Sequence, residues 1–404
     1  MKFSALVERI QGEATDAWAI HSAAAEAKRR GEDVIVLSIG DPDFSTPARF
    51  IDRAVEAMRT GDTHYADVEG RPELRAAIAE RFASRTGVAV GPQNVVVTAG
   101  CQNALFGVTQ CLAEPECEIV VLEPMYVTYD ATIRATGARL VTSPQRPETG
   151  FRVDLEALQA CITPATRAIY FATPNNPTGA VMTRGELEGI AEIARRHDIW
   201  VVADEVYADL TFEREHVSIA ALPGMAERTA TLSSLSKSHA MTGWRSGWII
   251  GPGDLVEHVG RLNLAMTYGL PGFIQEAAVT ALREGDEEVA RMREIYRRRR
   301  DLMLDALKDA PLIRCLTPEA GMFMLIDVGA SGLSANEFSW ALFREEGVGV
   351  LDASPFGPSA RGFLRVAFTI GEAELAEAAR RITRFSRRLA AAAEGAAGDI
   401  RRTG

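Results

Sequence analysis

Between Asn94 and Ile250 the chain repeats one pattern: a short, almost wholly apolar run, then a stretch with helical spacing. The runs are Asn94-Val-Val-Val-Thr, Glu118-Ile-Val-Val-Leu, Ala138-Arg-Leu-Val, Arg167-Ala-Ile-Tyr-Phe-Ala, Ile199-Trp-Val-Val-Ala, Thr229 to Leu232, and Trp248-Ile-Ile. A strand with one wet face alternates polar and apolar residues. Strands that are apolar throughout are buried on both faces, as parallel strands are beneath their crossover helices. The pattern therefore predicts an α/β fold, with a mostly parallel central sheet and helices on both faces. Two of the intervening helices are clear from spacing: one with Cys101, Leu105, Val108 and Leu112 on a face, the other from Arg184 to His197.

The flanks are more varied. Residues 4 to 30 read as helix, Val34 to Ile39 as a strand, and Gly40 to Pro47 as a turn-rich stretch. A helix is expected from about Pro47 to Arg59, then a polar loop, Gly61 to Gly70, whose one aromatic is Tyr65. Pro72 sits where proline favours a first helical turn. Leu74, Ile78 and Phe82 follow as its apolar stripe. A long helix is expected from about Glu284 to Leu307. Beyond it, Gly321 to Asp327, a helix over Ala335 to Glu346, Gly349-Val-Leu, Gly362 to Phe368, and a last helix from about Glu372 suggest a smaller α+β domain. The expected division is an N-terminal arm and part of the small domain at 1–45, a large domain at 46–285, the small C-terminal domain at 286–390, and a disordered tail at 391–404.

Composition removes several function classes. The chain has 404 residues, 47% of them apolar, ample for sizeable cores. Its 44 basic and 55 acidic residues give a net charge of −11, which argues against nucleic acid or an anionic membrane as partner. No run approaches the roughly 18 apolar residues of a membrane span, and the N-terminus lacks a signal-peptide core. The five cysteines show no metal-knuckle spacing, and the six histidines make no HExxH, so no metal is expected. The expectation is a reduced, soluble, cytoplasmic protein.

Ligands of open α/β sheets bind beyond the carboxyl ends of the strands. The polar residues there are Gly100-Cys101-Gln102, Tyr126, Asn176, Asp204 with Tyr207, and Lys237. Each has a plainer explanation alone: a tight turn at Gly100, a core ring at Tyr126, a turn at Asn176, a helix cap at Asp204. Together they suit one cofactor, pyridoxal 5′-phosphate. Lys237 can take the aldehyde, since partial desolvation frees an amine's lone pair. Asp204 can keep the pyridine nitrogen protonated. Asn176 and Tyr207 can donate to the phenolate oxygen, and Tyr126 can stack on the ring. The helix N-terminus at Gly100 to Gln102, with Ser234 and Arg245, suits a phosphate. Arg365, flanked by apolar residues, is a fork donor for a substrate carboxylate.

Three motifs in this order, Pro174-Asn-Asn-Pro-Thr-Gly, Ala203-Asp-Glu-Val-Tyr, and Ser234-Leu-Ser-Lys-Ser followed by Gly243-Trp-Arg, resemble those of class I (fold type I) pyridoxal-phosphate aminotransferases. The resemblance covers roughly residues 5 to 390. It implies catalytic roles for Lys237 as Schiff-base lysine and proton shuttle, for Asp204 and for Tyr207. It implies cofactor contacts from Gly100, Cys101, Gln102, Tyr126, Asn176, Ser234 and Arg245, and from Tyr65 across a homodimer interface. Gly40, Asn176 and Arg365 would grip the substrate carboxylate. The implied partners are an amino acid and a 2-oxo acid. More narrowly, Gly61 to Gly70, Glu123 to Tyr129, Ser236 to Arg245 and Phe356 to Ala360 are similar to the branch that uses arginine and pyruvate. There Glu13 and Asp16 are candidate readers of a cationic side chain, against the plainer view that they are surface acids. Aspartate, aromatic or broad-specificity aminotransferases and a carbon–sulfur lyase on the same fold stay open as alternatives.

Overall fold

The computed structural model describes residues 1–11 and 18–403, with side chains through residue 394. Thirteen strands are present among them: β1 (Ile35–Val36), β2 (Val95–Ala99), β3 (Glu118–Glu123), β4 (Arg139–Pro144), β5 (Thr166–Ala172), β6 (Trp200–Asp204), β7 (Thr229–Ser234), β8 (Ser246–Ile250), β9 (Arg314–Cys315), β10 (Phe323–Asp327), β11 (Val348–Gly349), β12 (Leu351–Asp352) and β13 (Phe363–Ala367). Seven form one sheet in the order β2-β8-β7-β6-β5-β3-β4. The pairs from β7 through β6, β5 and β3 to β4 are parallel. Only β8 runs against its neighbours, β2 and β7. The mostly parallel sheet read from the apolar runs is thus present.

The exception has a simple cause. No crossover helix fits between Ser234 and Ser246, and a chain that turns back within a few residues can pair only antiparallel. The consequence reaches the site. The ends of β2, β5, β6 and β7 and the beginning of β8 all meet at one sheet edge. Arg245, just before β8, therefore lies beside Gly100, just after β2.

Both faces of the sheet are covered. On one, Val96, Val121, Tyr170, Val202 and Ile249 pack with the helices Cys101–Leu112, Thr128–Thr136 and Gly253–Met266. On the other, Val120, Ile169, Phe171 and Val201 meet the helix Arg184–His197, and Val95, Val97 and Ile250 meet Pro72–Thr86 and Gly272–Glu284. The helices Gly253–Met266 and Gly272–Glu284 have no counterpart in the sequence reading. Pro252 and Pro271 stand immediately before them, and that proline placement was the available signal.

A second sheet, β12-β13-β10-β9, is antiparallel, and β1 pairs in parallel with β11 beside it. The helices Asp286–Leu307, Ala335–Glu346 and Glu372–Thr403 pack on these strands around Phe338, Tyr296 and Phe385. One expectation is corrected. Residues 4 to 30 do not form one described helix: Ala5–Arg9 and Ala19–Arg29 are helical, and Ile10 and Gln11 are not. The last helix runs from Glu372 to Thr403. The Ala390 to Ala393 run favours helix, because alanine loses no side-chain entropy on ordering. No helix among the described residues is long and apolar enough to cross a membrane.

Candidate active site

A cavity of about 330 Å³ opens at the sheet edge just described, facing β13 and the segment after β1. Lys237 reaches it from the turn after β7. Its Nζ donates to the Gly40 carbonyl at 2.6 Å. Burial lowers the Lys237 pKa from 10.5 to about 8, with Asp41 opposing the shift and Arg365 and Arg245 adding to it. A neutral amine is a nucleophile, so this lysine is primed near physiological pH.

Asp204 closes β6 and is 8% exposed. Burial raises its pKa from 3.8 to about 6. Three donors oppose that shift: the Val206 amide at 3.1 Å, the Tyr129 hydroxyl at 3.2 Å and the Cys101 thiol at 3.6 Å. A carboxylate with so little solvent and no cationic side chain bonded to it is suited to a cationic ring nitrogen.

At the other end of the cavity, Gly100 precedes the helix Cys101–Leu112 with φ +85°. A Cβ there would lie 2.3 Å from an Arg245 guanidinium nitrogen. Gly247 is equally confined, since its Cβ would fall 2.5–2.6 Å from the Gly100 carbonyl carbon and the Cys101 amide nitrogen. The two glycines let Arg245 lie against the free N–H groups of the helix start. Arg245 itself is held by the Thr242 carbonyl at 2.7 Å. Backbone N–H groups, a helix dipole and a guanidinium make an anion cradle.

Arg365, on β13, is 2% exposed. It donates to the Ser38 carbonyl at 2.8 Å and approaches the Asn176 side-chain oxygen at 3.4 Å. Its guanidinium lies over the Phe356 and Phe323 rings, 5.2 and 5.7 Å from their centroids. Its Nε has no partner among the described residues. Burial lowers its pKa, yet arginine starts so high that it stays charged. A buried cation with spare N–H groups facing a cavity is suited to an incoming carboxylate.

Of the residues singled out from sequence, Gly40, Cys101, Gln102, Tyr126, Asn176, Asp204, Tyr207, Ser234, Lys237, Arg245 and Arg365 line this one cavity, with Gly100 directly behind Arg245. Tyr65 does not. It is 85% exposed and packs on Tyr268, ring centroids 4.6 Å apart. Glu13 and Asp16 lie outside the described residues. Sequence reading missed Trp18, Ile39 and Asp41 in the lining, and Tyr129 behind Asp204. Tyr129 stands three residues after Tyr126, one helical turn away.

The fit to pyridoxal phosphate is thus complete: an amine for the aldehyde, a carboxylate for the ring nitrogen and a cradle for the phosphate. The family model described as aminotransferase class I and II matches residues 32–382. The chain belongs to that family, and is a pyridoxal-phosphate-dependent aminotransferase. It is 51% identical to the arginine–pyruvate transaminase of Pseudomonas aeruginosa, across 95% of this chain and 97% of that one. It is 36% identical to the aspartate/prephenate aminotransferase of Thermus thermophilus, across 91% and 94%. Among solved structures, the aspartate aminotransferase of Thermus thermophilus with maleate superposes with a TM-score of 0.91 at 34% identity, covering 95% of this chain and all of that one.

Proposed function

We propose that this aminotransferase moves the α-amino group of L-arginine to pyruvate in a two-stage reaction. The observation that carries the donor and acceptor is the 51% identity, over nearly the full length of both chains, to an arginine–pyruvate transaminase. When bound, pyridoxal phosphate supplies an electron sink for the pair left when the α-proton departs. The chain's own residues do the rest. Arg365, with Asn176, holds the donor carboxylate and so fixes the α-carbon next to Lys237. The Lys237 amine, held beside the α-carbon, would take the α-proton as general base. Asp204 would pair with a protonated ring nitrogen of the cofactor. Tyr207 and Asn176 would donate to its ring oxygen, Tyr126 would stack on the ring, and Ser234, Arg245 and the Gly100–Gln102 amides would hold the phosphate.

Aspartate is the rival donor, since related enzymes carry that name. A distal carboxylate needs a second cation. Among the described residues, the guanidinium groups lining the cavity are Arg245, at the phosphate cradle, and Arg365. The arginine reading is therefore preferred.

We infer a cytoplasmic homodimer with shared sites. The support for pairing is the exposed contact between Tyr65, on the loop expected to reach a partner's phosphate, and Tyr268, just after the helix Gly253–Met266.

The test is spectroscopic. Holoprotein is mixed with single amino acids in the absence of oxo acid, and the absorption band of lysine-bound cofactor is followed. Arginine is expected to convert the band and aspartate to leave it, with pyruvate restoring it. Conversion by aspartate in place of arginine would overturn the donor assignment.

A further inference from the structure

If arginine is the donor, its guanidinium must be read by something, and the cofactor and carboxylate contacts above leave that reader unassigned. We propose that Trp18 and Asp41 form the side-chain subsite. The Trp18 indole stacks on the planar cation, and the Asp41 carboxylate pairs with its N–H groups. This rests on the arginine reading and names the residues that would enforce it.

The anion cradle occupies the Gly100 end, Asp204 and Tyr126 serve the ring, and Arg365 takes the α-carboxylate. With the α-carbon at Lys237, the donor's remaining substituent must meet lining residues that carry none of those roles. Trp18, Ile39 and Asp41 are among them, and they include an aromatic ring and a carboxylate.

Asp41 differs from the aspartate two residues on. Asp43 is engaged by both terminal nitrogens of Arg299 at 2.7 Å. Asp41 makes no ion pair among the described residues, although it is close enough to raise the proton affinity of Lys237. A carboxylate at a cavity wall with no cation of its own is suited to a cationic ligand.

Trp18 is fixed to the same framework. Its ring meets His21 edge-on at 5.9 Å, and His21 Nδ1 shares a 2.8 Å hydrogen bond with the Ser38 hydroxyl. Ser38 in turn accepts from Arg365 through its carbonyl. The indole is thus linked through His21 to Ser38, and Ser38 to the carboxylate-gripping arginine. Burial and the nearby Arg365 charge lower the His21 pKa, so His21 does not compete as a cation for Asp41. A guanidinium is planar and weakly hydrated, and prefers an aromatic face plus a carboxylate fork to either alone.

The experiment compares arginine with citrulline, which keeps the length and planar end but lacks the charge, and with alanine, which lacks the end altogether. Single-turnover rates of cofactor conversion are measured on the holoenzyme for wild type, Trp18→Ala, Trp18→Phe and Asp41→Asn. The expected result is a fall in the arginine-to-citrulline ratio of about tenfold in Asp41→Asn and about fivefold in Trp18→Ala, with Trp18→Phe retaining most of it. A general disturbance of Lys237 would slow all three donors alike and leave the ratio unchanged. An unchanged ratio in both Trp18→Ala and Asp41→Asn, with wild type active on arginine, overturns this subsite and spares the donor assignment. If wild type does not use arginine, the donor assignment fails and the subsite with it.

Discussion

The two halves of the cavity are built differently. The half proposed to hold the cofactor comes from one sheet: the ends of β2, β6 and β7 and the start of β8, with the helix start at Cys101. Hydrogen-bonded neighbours in that sheet fix each side chain against the next. The half proposed to hold the substrate is assembled from segments hundreds of residues apart. Ser38 and Asn176 each meet the Arg365 guanidinium. The first half is set by local register, the second by the packing of separate bodies. Damage to the first should therefore act alike on every donor, and damage to the second should act on substrate affinity and selectivity.

The largest effect is expected for Lys237→Ala. It removes the amine that captures the cofactor and moves the proton, so turnover should fall at least about 10,000-fold with every donor. Steady-state rates and the loss of the lysine-bound absorption band check it. Retained turnover would remove Lys237 from the chemistry. Asp204→Asn comes next, with a loss of about 1,000-fold in single-turnover rate, because an amide cannot hold the ring nitrogen's charge. The same variant should melt higher than wild type as apoprotein. Burial raises the folded Asp204 pKa from 3.8 to about 6, so the ionised group costs stability at pH 7, a penalty that grows as pH rises through that window. Opposite signs in activity and apoprotein melting are the signature to look for.

Arg365→Lys tests the other half. A lysine keeps charge but loses the fork, and KM for all carboxylate substrates should rise about 100-fold with a smaller change in kcat. A loss of cofactor with KM unchanged would contradict the division between the halves. A smaller effect is the pH dependence of cofactor capture by apoprotein. The neutral Lys237 amine is the reactive form, so the rate should rise about tenfold per unit up to its pKa of about 8 and level off above it. A plateau reached only near pH 10 would show the amine is not desolvated.

The contrast also explains what could be read from sequence. Asp204, Lys237 and Asn176 sit at the ends of apolar runs, where strand termini are legible and the ligand edge of the sheet is predictable. Arg245 is legible as a fork donor shortly after the serine-rich turn that carries Lys237. Its physical position depends on the reversal of β8, and no periodicity announces a reversal. Trp18 and Asp41 carry no such marker, because their place follows from how the early chain lies against β13. The helices Gly253–Met266 and Gly272–Glu284 were passed over between two sheet segments, although proline stood at both starts. Single side chains one layer behind the cavity are the hardest case, since nothing in a strand's pattern says which neighbour will face its last residue.

Tyr129 is such a side chain, and it gives the smallest and sharpest test. It is 1% exposed, meets Tyr126 and Tyr170 edge-on, and donates to Asp204 at 3.2 Å. Tyr129→Phe keeps the ring and its packing and removes only that donor. A hydrogen bond to the ionised form favours that form, so its loss should push the Asp204 pKa up from about 6. More of the apoprotein would then carry a protonated Asp204 at pH 6, while at pH 8 nearly all would remain ionised. Cofactor affinity should consequently fall about threefold at pH 6 and hardly at all at pH 8, a net hydrogen bond being worth about 1 kcal/mol. Titration of apoprotein with pyridoxal phosphate at the two pH values measures it. An equal deficit at both would mean that the Tyr129 hydroxyl positions the Asp204 carboxylate, and that the strand-end half of the site is set by geometry rather than by the charge of Asp204.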